Sequence, residues 1–193
     1  MEHNPIEIFK QLFNEEQKLS KVRIPTACCF STNGLDGFPN ARFVSFKDII
    51  DDCFIITGSI TSRKGIEINQ SEKVSLTFWW TETEKQVRIQ GVATRISDDL
   101  ADKYFSERNL DSQIVSIVSD QGAEIEKMED LVTAYEKMEI EGKNKQITRP
   151  NNWSGYRIEP IRIEILEFEL TRFHVRRLYK KHNENWKVTK LQP

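Results

Sequence analysis

The chain has 193 residues, enough for one well-buried domain. Its 28 Lys and Arg against 30 Asp and Glu leave a formal net charge of −2, so no bulk attraction to nucleic acid or an anionic membrane is expected. Hydrophobic residues make up 38% and charged residues 30%, an ordinary soluble composition, and no apolar run approaches the roughly 20 residues that span a bilayer.

The start, Met1-Glu2-His3-Asn4-Pro5, lacks the basic and apolar regions of a signal peptide, and a cytoplasmic protein is expected. Pro5 to about Lys21 reads as an amphipathic helix: Ile6, Phe9, Leu12, Phe13 and Leu19 fall near one face, with Glu15, Glu16 and Lys18 near the other. Strands are expected at Pro25–Thr32, Pro39–Lys47 and Cys53–Thr57, with a turn over Asn33-Gly34-Leu35-Asp36-Gly37. Cys28, Cys29 and Cys53 lie in these apolar runs without metal-ligand spacing and read as buried, reduced thiols.

The stretch Ile55 to Gly65 passes from a strand end through Ser59, Thr61 and Ser62 to Arg63-Lys64 at the start of a short helix. A helix N-terminus with free N–H groups, hydroxyls and two cations suits a phosphate. Taken alone it reads equally well as a solvated turn.

Strands Lys73–Trp80 and Lys85–Ile96 follow, the second with Val87, Ile89 and Gly91 opposite Gln86, Arg88 and Gln90. Ser97 caps a helix running to about Arg108, and a second helical piece covers Ile114–Ser119. Glu124–Glu141 reads as an amphipathic helix with a stripe of Ile125, Met128, Leu131, Val132, Tyr135 and Met138, and Gly142 to Asn152 as a polar loop. The last strands are expected at Trp153–Ile158, Ile161–Leu170, Phe173–Lys181 and Trp186–Leu191. His3 and His182 read as surface residues.

Short connections between successive strands mean antiparallel neighbours. About eight strands with helices inserted after the fifth imply a mainly β chain: an antiparallel, closed or nearly closed barrel with peripheral helices. A single domain over 1–193 is expected, with a helical insertion at about 97–142.

No nucleophile motif, metal-ligand cluster, Gly-x-Gly-x-x-Gly or Walker loop is present, and no metal is expected. The phosphate-type donors Arg42, Lys47, Arg63, Lys64, Arg108, Ser112, Arg172 and Arg176 are scattered, and each alone is compatible with chance. Six segments in register go further. They are Arg42-Phe-Val-Ser-Phe-Lys47, Ser62-Arg63-Lys64-Gly65, Val74 to Trp79 with Lys85-Gln86-Val87-Arg88, Tyr104-Phe-Ser-Glu-Arg108-Asn-Leu-Asp-Ser112-Gln113-Ile114, Asn152-Trp153-Ser154-Gly155-Tyr156-Arg157, and Arg172-Phe173-His174-Val175-Arg176. With the closing Trp186 to Pro193, they resemble the pyridoxine/pyridoxamine 5′-phosphate oxidases, FMN flavoproteins with a split-barrel fold.

The resemblance implies that Arg42, Arg63 and Lys64 hold the FMN phosphate and ribityl region, with Thr57 nearby. Gln86, Trp153 and Arg176 would contact the flavin or its chain, with Gln121 reaching in from a partner subunit. Lys47, Tyr104, Arg108 and Ser112 would bind the phosphate of the vitamin substrate. Arg172 and His174 would lie over its ring as the catalytic pair. The implied reaction is hydride transfer to the flavin in a homodimer whose site is at the interface, with oxygen as final acceptor.

Some positions depart from the family pattern. The basic N-terminal arm is expected to be missing, and the loop between Thr57 and Arg63 is one residue longer. Leu166-Glu167-Phe168 replaces Trp-Gln-Gly, Val175 replaces an aspartate, and Gly122 replaces a serine after Gln121. These changes leave two alternatives: an FMN oxidase of another reduced aromatic substrate, and a non-catalytic flavin- or pyridoxal-phosphate-binding protein.

Overall fold

A computed structural model describes residues 4–142 and 146–193. His3 lies outside these residues, as does part of the loop expected after Gly142. The elements in chain order are α1 (Pro5–Leu19), β1 (Ala27–Asn33), β2 (Pro39–Ile50), β3 (Cys53–Ser59), α2 (Arg63–Gln70), β4 (Lys73–Trp80), β5 (Lys85–Arg95), α3 (Asp98–Ser106), α4 (Leu110–Val118), α5 (Met128–Gly142), β6 (Trp153–Glu167), β7 (Val175–His182) and β8 (Asn185–Leu191).

The sheet order is β3-β2-β1-β4-β5-β6-β7-β8, and β6 also pairs with β3. Six strands therefore close into an antiparallel barrel, and β7–β8 extend it as a hairpin. The architecture is the expected one, mainly β with peripheral helices.

Closure depends on β6. Its first half pairs with β3, from Trp153↔Ser59 to Ile158↔Phe54, and its second half pairs with β7, from Arg162↔Lys180 to Glu167↔Val175. The sequence reading split this stretch into two strands at Glu159-Pro160, and the structure corrects that. The register against β5 shifts between Gln90 and Gly91, so Ile161 is an extra residue at a bulge. Pro160 sits at that bulge, between the β3 and β7 ladders, where a missing N–H is tolerated.

The barrel core is aromatic. Phe9 of α1 is fully buried, with ring centroids 4.9–5.6 Å from Phe46, Phe54, Phe78 and Trp80. Asn4 caps α1, its Oδ1 accepting from the Ile6 N–H at 2.9 Å. Glu16, expected on the solvent face of this helix, is buried instead. Its carboxylate accepts from the N–H and hydroxyl of Thr83, each at 2.9 Å, and so ties α1 to the β4–β5 turn. Leu19, expected on the apolar face, is the last residue of α1 and is exposed.

A second cluster of Ile55, Ile96, Ala101, Tyr104, Phe105 and Trp153 packs α3 on the outside of the barrel. Arg149 reinforces it, donating to Asp102 at 2.5 Å, Asp98 at 3.0 Å and the Trp153 carbonyl at 2.7 Å. The α5 helix begins at Met128 rather than Glu124, and its stripe is not core: Met128 and Val132 are exposed. Its packing is against α4 rather than the barrel, so the apolar period has no buried surface to meet. Cys28 and Cys53 are buried and Cys29 is half-buried, all three as free thiols. Among the described residues no helix is long and apolar enough to cross a membrane.

Candidate functional site

One cavity of about 320 Å³ opens where β2, β3, the start of α2, the α3–α4 corner and the start of β6 converge. Each element delivers its side chain for a local reason. Lys47 is the extra residue of a bulge in β2, since Phe46 pairs with Ile56 and Asp48 with Ile55. Thr57 and Ser59 end β3, where it leaves the sheet for the hydroxyl-rich loop into α2. Arg108 occupies the short link between α3 and α4, and Trp153 is the first residue of β6. Arg42, Lys47, Thr57, Lys64, Arg108, Gln121 and Trp153 all line this one cavity. Seven of the fourteen residues nominated from sequence thus meet in a single place. The lining contains four cations and no carboxylate.

The cations fall into two pairs. Lys64 is buried, and its pKa is pushed down to about 8, first by burial and then by Arg42. Its ammonium donates to Ser62 Oγ at 2.8 Å and Gln121 Oε1 at 2.9 Å, both neutral acceptors. Ser62 itself makes no side-chain cap on α2, because its hydroxyl donates to the Ser59 carbonyl. Lys47 is lowered by burial and by Arg108, with Glu107 opposing. Burial also lowers Arg108, whose guanidinium lies 5.1 Å from the Trp153 ring centroid and donates to the Ser112 carbonyl at 2.9 Å. Two buried atoms here have no hydrogen-bond partner, Thr57 Oγ1 and Arg108 Nε.

Gln121 reaches the cavity of its own chain, whereas the sequence reading brought it from a partner. Tyr104 is buried in the cluster beneath the cavity, where burial raises its pKa, followed by Asp48 and Glu107. Ser112 meets Arg108 through its backbone carbonyl. Arg63 lines not this cavity but a neighbouring hollow that shares Gln121 with it; its Nη2 donates to Asp36 at 3.0 Å and its Nε to Glu67 at 3.0 Å.

Gln86, Arg172, His174 and Arg176 do not line this cavity. Gln86 and Arg176 both register with Leu166 on β6. Phe168 bridges Trp79 and His174, with ring centroids at 5.1 and 4.7 Å. His174 Nδ1 accepts from the Glu169 N–H at 3.0 Å, which puts the proton of the neutral ring on Nε2. Arg176 Nε lies 3.7 Å from Glu164, and Arg172 holds a left-handed backbone with φ of 66°.

Two contributors escaped the sequence reading. Ser116 lines the cavity from α4 and donates back to the Ser112 carbonyl. Glu67 is fully buried behind the cavity and binds Arg42 and Arg63. Its four-residue spacing from Arg63 on a short helix was the available signal.

Residues 15–140 match the family model described as pyridoxamine 5′-phosphate oxidase. Residues 153–193 match the pyridoxine 5′-phosphate oxidase C-terminal dimerisation region. A pyridoxine/pyridoxamine 5′-phosphate oxidase of Leptospira biflexa is 33% identical over 190 residues, covering 98% of this chain and 89% of the relative. One from Nostoc punctiforme is 35% identical over 191 residues, with 98% and 89% covered. Among solved structures, PhzG from Burkholderia lata 383, in complex with tetrahydrophenazine-1-carboxylic acid, superposes with a TM-score of 0.93 at 30% identity, covering 99% of this chain and 93% of that one. A pyridoxamine 5′-phosphate oxidase-related, FMN binding protein from Nostoc punctiforme shares the fold, with a TM-score of 0.80 at 16% identity and 97% and 96% of the two chains covered. With its barrel, its lining of cations and full-length relatives of this kind, the chain belongs to the pyridoxamine 5′-phosphate oxidase family and is an oxidoreductase.

Proposed function

We propose that the protein is an FMN-dependent oxidase that converts pyridoxamine or pyridoxine 5′-phosphate to pyridoxal 5′-phosphate, with oxygen as electron acceptor. The observation that carries this reading is the pairing of cations in one cavity, Arg42 with Lys64 and Lys47 with Arg108, with no lining carboxylate. Two cationic pairs suit two phosphorylated ligands held side by side. The fit to FMN is supported by the unpartnered Thr57 hydroxyl and by Lys64, whose buried ammonium has only neutral partners.

In this reading Arg42 and Lys64 take the flavin phosphate, with Arg63 at the edge and Thr57 donating to the cofactor. Trp153 and Gln121 close the sides. Lys47 and Arg108 take the substrate phosphate; the Ser112 carbonyl holds Arg108 in place, and Tyr104 packs in the cluster beneath with Trp153. When bound, FMN would supply the redox chemistry as a two-electron acceptor. The chain's residues bind and orient the substrate and keep water out.

Gln86, Arg172, His174 and Arg176 complete the site from a second copy in a homodimer. The match of 153–193 to a dimerisation region supports this, since three of the four lie within it. Arg172 and His174 sit over the substrate ring, with His174 Nε2 free to meet it. The free thiols are compatible with a reducing cytoplasm, and the whole chain acts as one FMN-binding unit.

A second reading, oxidation of another reduced aromatic substrate, is favoured by Phe168. It stands with Trp79 and His174 where the family pattern has a small residue, and makes an aromatic wall. Turnover of the FMN-loaded protein in air separates the readings. Pyridoxamine 5′-phosphate should yield pyridoxal 5′-phosphate and peroxide, and a tetrahydrophenazine carboxylate should yield little. The reverse ranking favours the second reading. Tight flavin with neither substrate turned over indicates a binding protein.

A further inference from the structure

We infer that Glu67 is a positioning residue that aims Arg42 at the flavin phosphate and holds Arg63 beside it. Glu67 can do this only if the cavity takes a flavin phosphate, as proposed above. The carboxylate belongs to α2 and is fully buried. Oε2 accepts from Arg42 Nη2 at 3.1 Å and from the Thr32 hydroxyl at 2.5 Å. Oε1 accepts from Arg63 Nε at 3.0 Å and from the Asn40 amide. Thr32 in turn accepts from Arg42 Nη1 at 2.5 Å. One buried carboxylate therefore joins β1, β2 and α2 and serves two guanidinium groups at once.

Burial would raise the Glu67 carboxyl, but hydrogen bonds from Thr32, Arg63, Asn40 and Arg42 together bring it below the usual carboxylate range. It is therefore ionised at neutral pH. That is a surprising place for a negative charge, directly behind a wall that should receive a dianion. By Coulomb's law alone it weakens phosphate binding. Its geometric effect runs the other way. A free arginine in this wall would sample many rotamers, and fixing it in advance removes that ordering cost from the binding step.

The two effects have opposite signs, so substitution separates them. In Glu67→Gln, one carboxamide nitrogen must face an N–H of either Arg42 or Arg63, and one guanidinium is released. The test compares FMN with riboflavin, which lacks the phosphate, using flavin fluorescence on the full-length protein freed of flavin. Wild type should prefer FMN. In E67Q, FMN should bind about tenfold or more weakly, the equivalent of one charge-assisted hydrogen bond, while riboflavin changes by no more than about twofold.

Equal weakening of both ligands means Glu67 is merely structural and overturns the inference. Unchanged or tighter FMN binding means the charge effect wins, and overturns it as well. A wild type without preference for FMN removes the flavin-phosphate reading and this inference together. If E67Q does not fold, Glu67→Asp carries the same test: it keeps the charge but is one methylene too short to serve both arginines. An unaltered preference for FMN in E67D then overturns the inference.

Discussion

Lys64 and Gln121, 57 residues apart in the chain, are joined by a 2.9 Å hydrogen bond from Nζ to Oε1. The lysine that faces the cavity thus has an amide for company rather than a carboxylate. Burial and Arg42 bring its pKa to about 8, below its ordinary 10.5. A bound phosphate would restore the charge. FMN binding to the flavin-free protein should therefore weaken as pH rises through about 8, while riboflavin binding stays flat. Lys64→Met should flatten the FMN profile. Stability moves oppositely: between pH 8 and 10.5 the unfolded chain holds more protons at this site, so the flavin-free protein gains stability as pH rises across that window.

Thr57 Oγ1 is buried without a partner. Thr57→Val keeps the shape and removes the hydroxyl. The flavin-free protein should be as stable as wild type or more so. FMN affinity should fall by about 1 kcal/mol, roughly fivefold. Thermal unfolding with and without FMN reads both effects. A loss of stability in the flavin-free state would show that the hydroxyl has a structural partner after all.

Arg172 holds φ of 66°, a conformation that glycine adopts without strain. Arg172→Gly should leave the fold intact or slightly stabilised while lowering kcat at least about tenfold, and His174→Ala should do the same to kcat without relieving strain. FMN affinity should change little in either. Stopped-flow reduction together with flavin titration separates these quantities. Unchanged turnover in both variants would remove the pair from the catalytic site.

Gly155 pairs with Thr57 across the seam that closes the barrel. A Cβ built there would lie 2.5 Å from the Ile56 carbonyl oxygen and 2.8 Å from Ile96 Cδ1. Gly155→Ala should cost about 2 kcal/mol or more and lower the melting temperature by roughly 5 °C. The site should suffer too, because Thr57 and Trp153 lie on the same two strands. A neutral G155A would mean that the seam can open without cost.

Most strands were legible because their period and turns are local. The β5 alternation holds, with Val87, Ile89 and Gly91 buried and Arg88 and Gln90 exposed. What failed depends on partners far along the chain. Glu16 looked like a solvent residue because its acceptor role needs the turn at Thr83. Pro160 looked like a strand break because the bulge that absorbs it exists only against β5. The α5 stripe looked like core because a period of 3.6 reports an apolar face, not whether anything covers it. For the site, the cations on β2 and α2 could be nominated from motifs, but not their pairing. The spacing of Glu67 from Arg63 signals one local partner; its burial and its second arginine, Arg42, emerge only when β1, β2 and α2 are brought together.

The most direct test is a single turnover without oxygen. The purified protein is loaded with FMN, mixed anaerobically with pyridoxamine 5′-phosphate, and followed by its visible spectrum. Bleaching of the flavin band, formation of pyridoxal 5′-phosphate, and return of the band on admitting air are the results this account predicts. A flavin that stays oxidised in the presence of saturating pyridoxamine 5′-phosphate would contradict it.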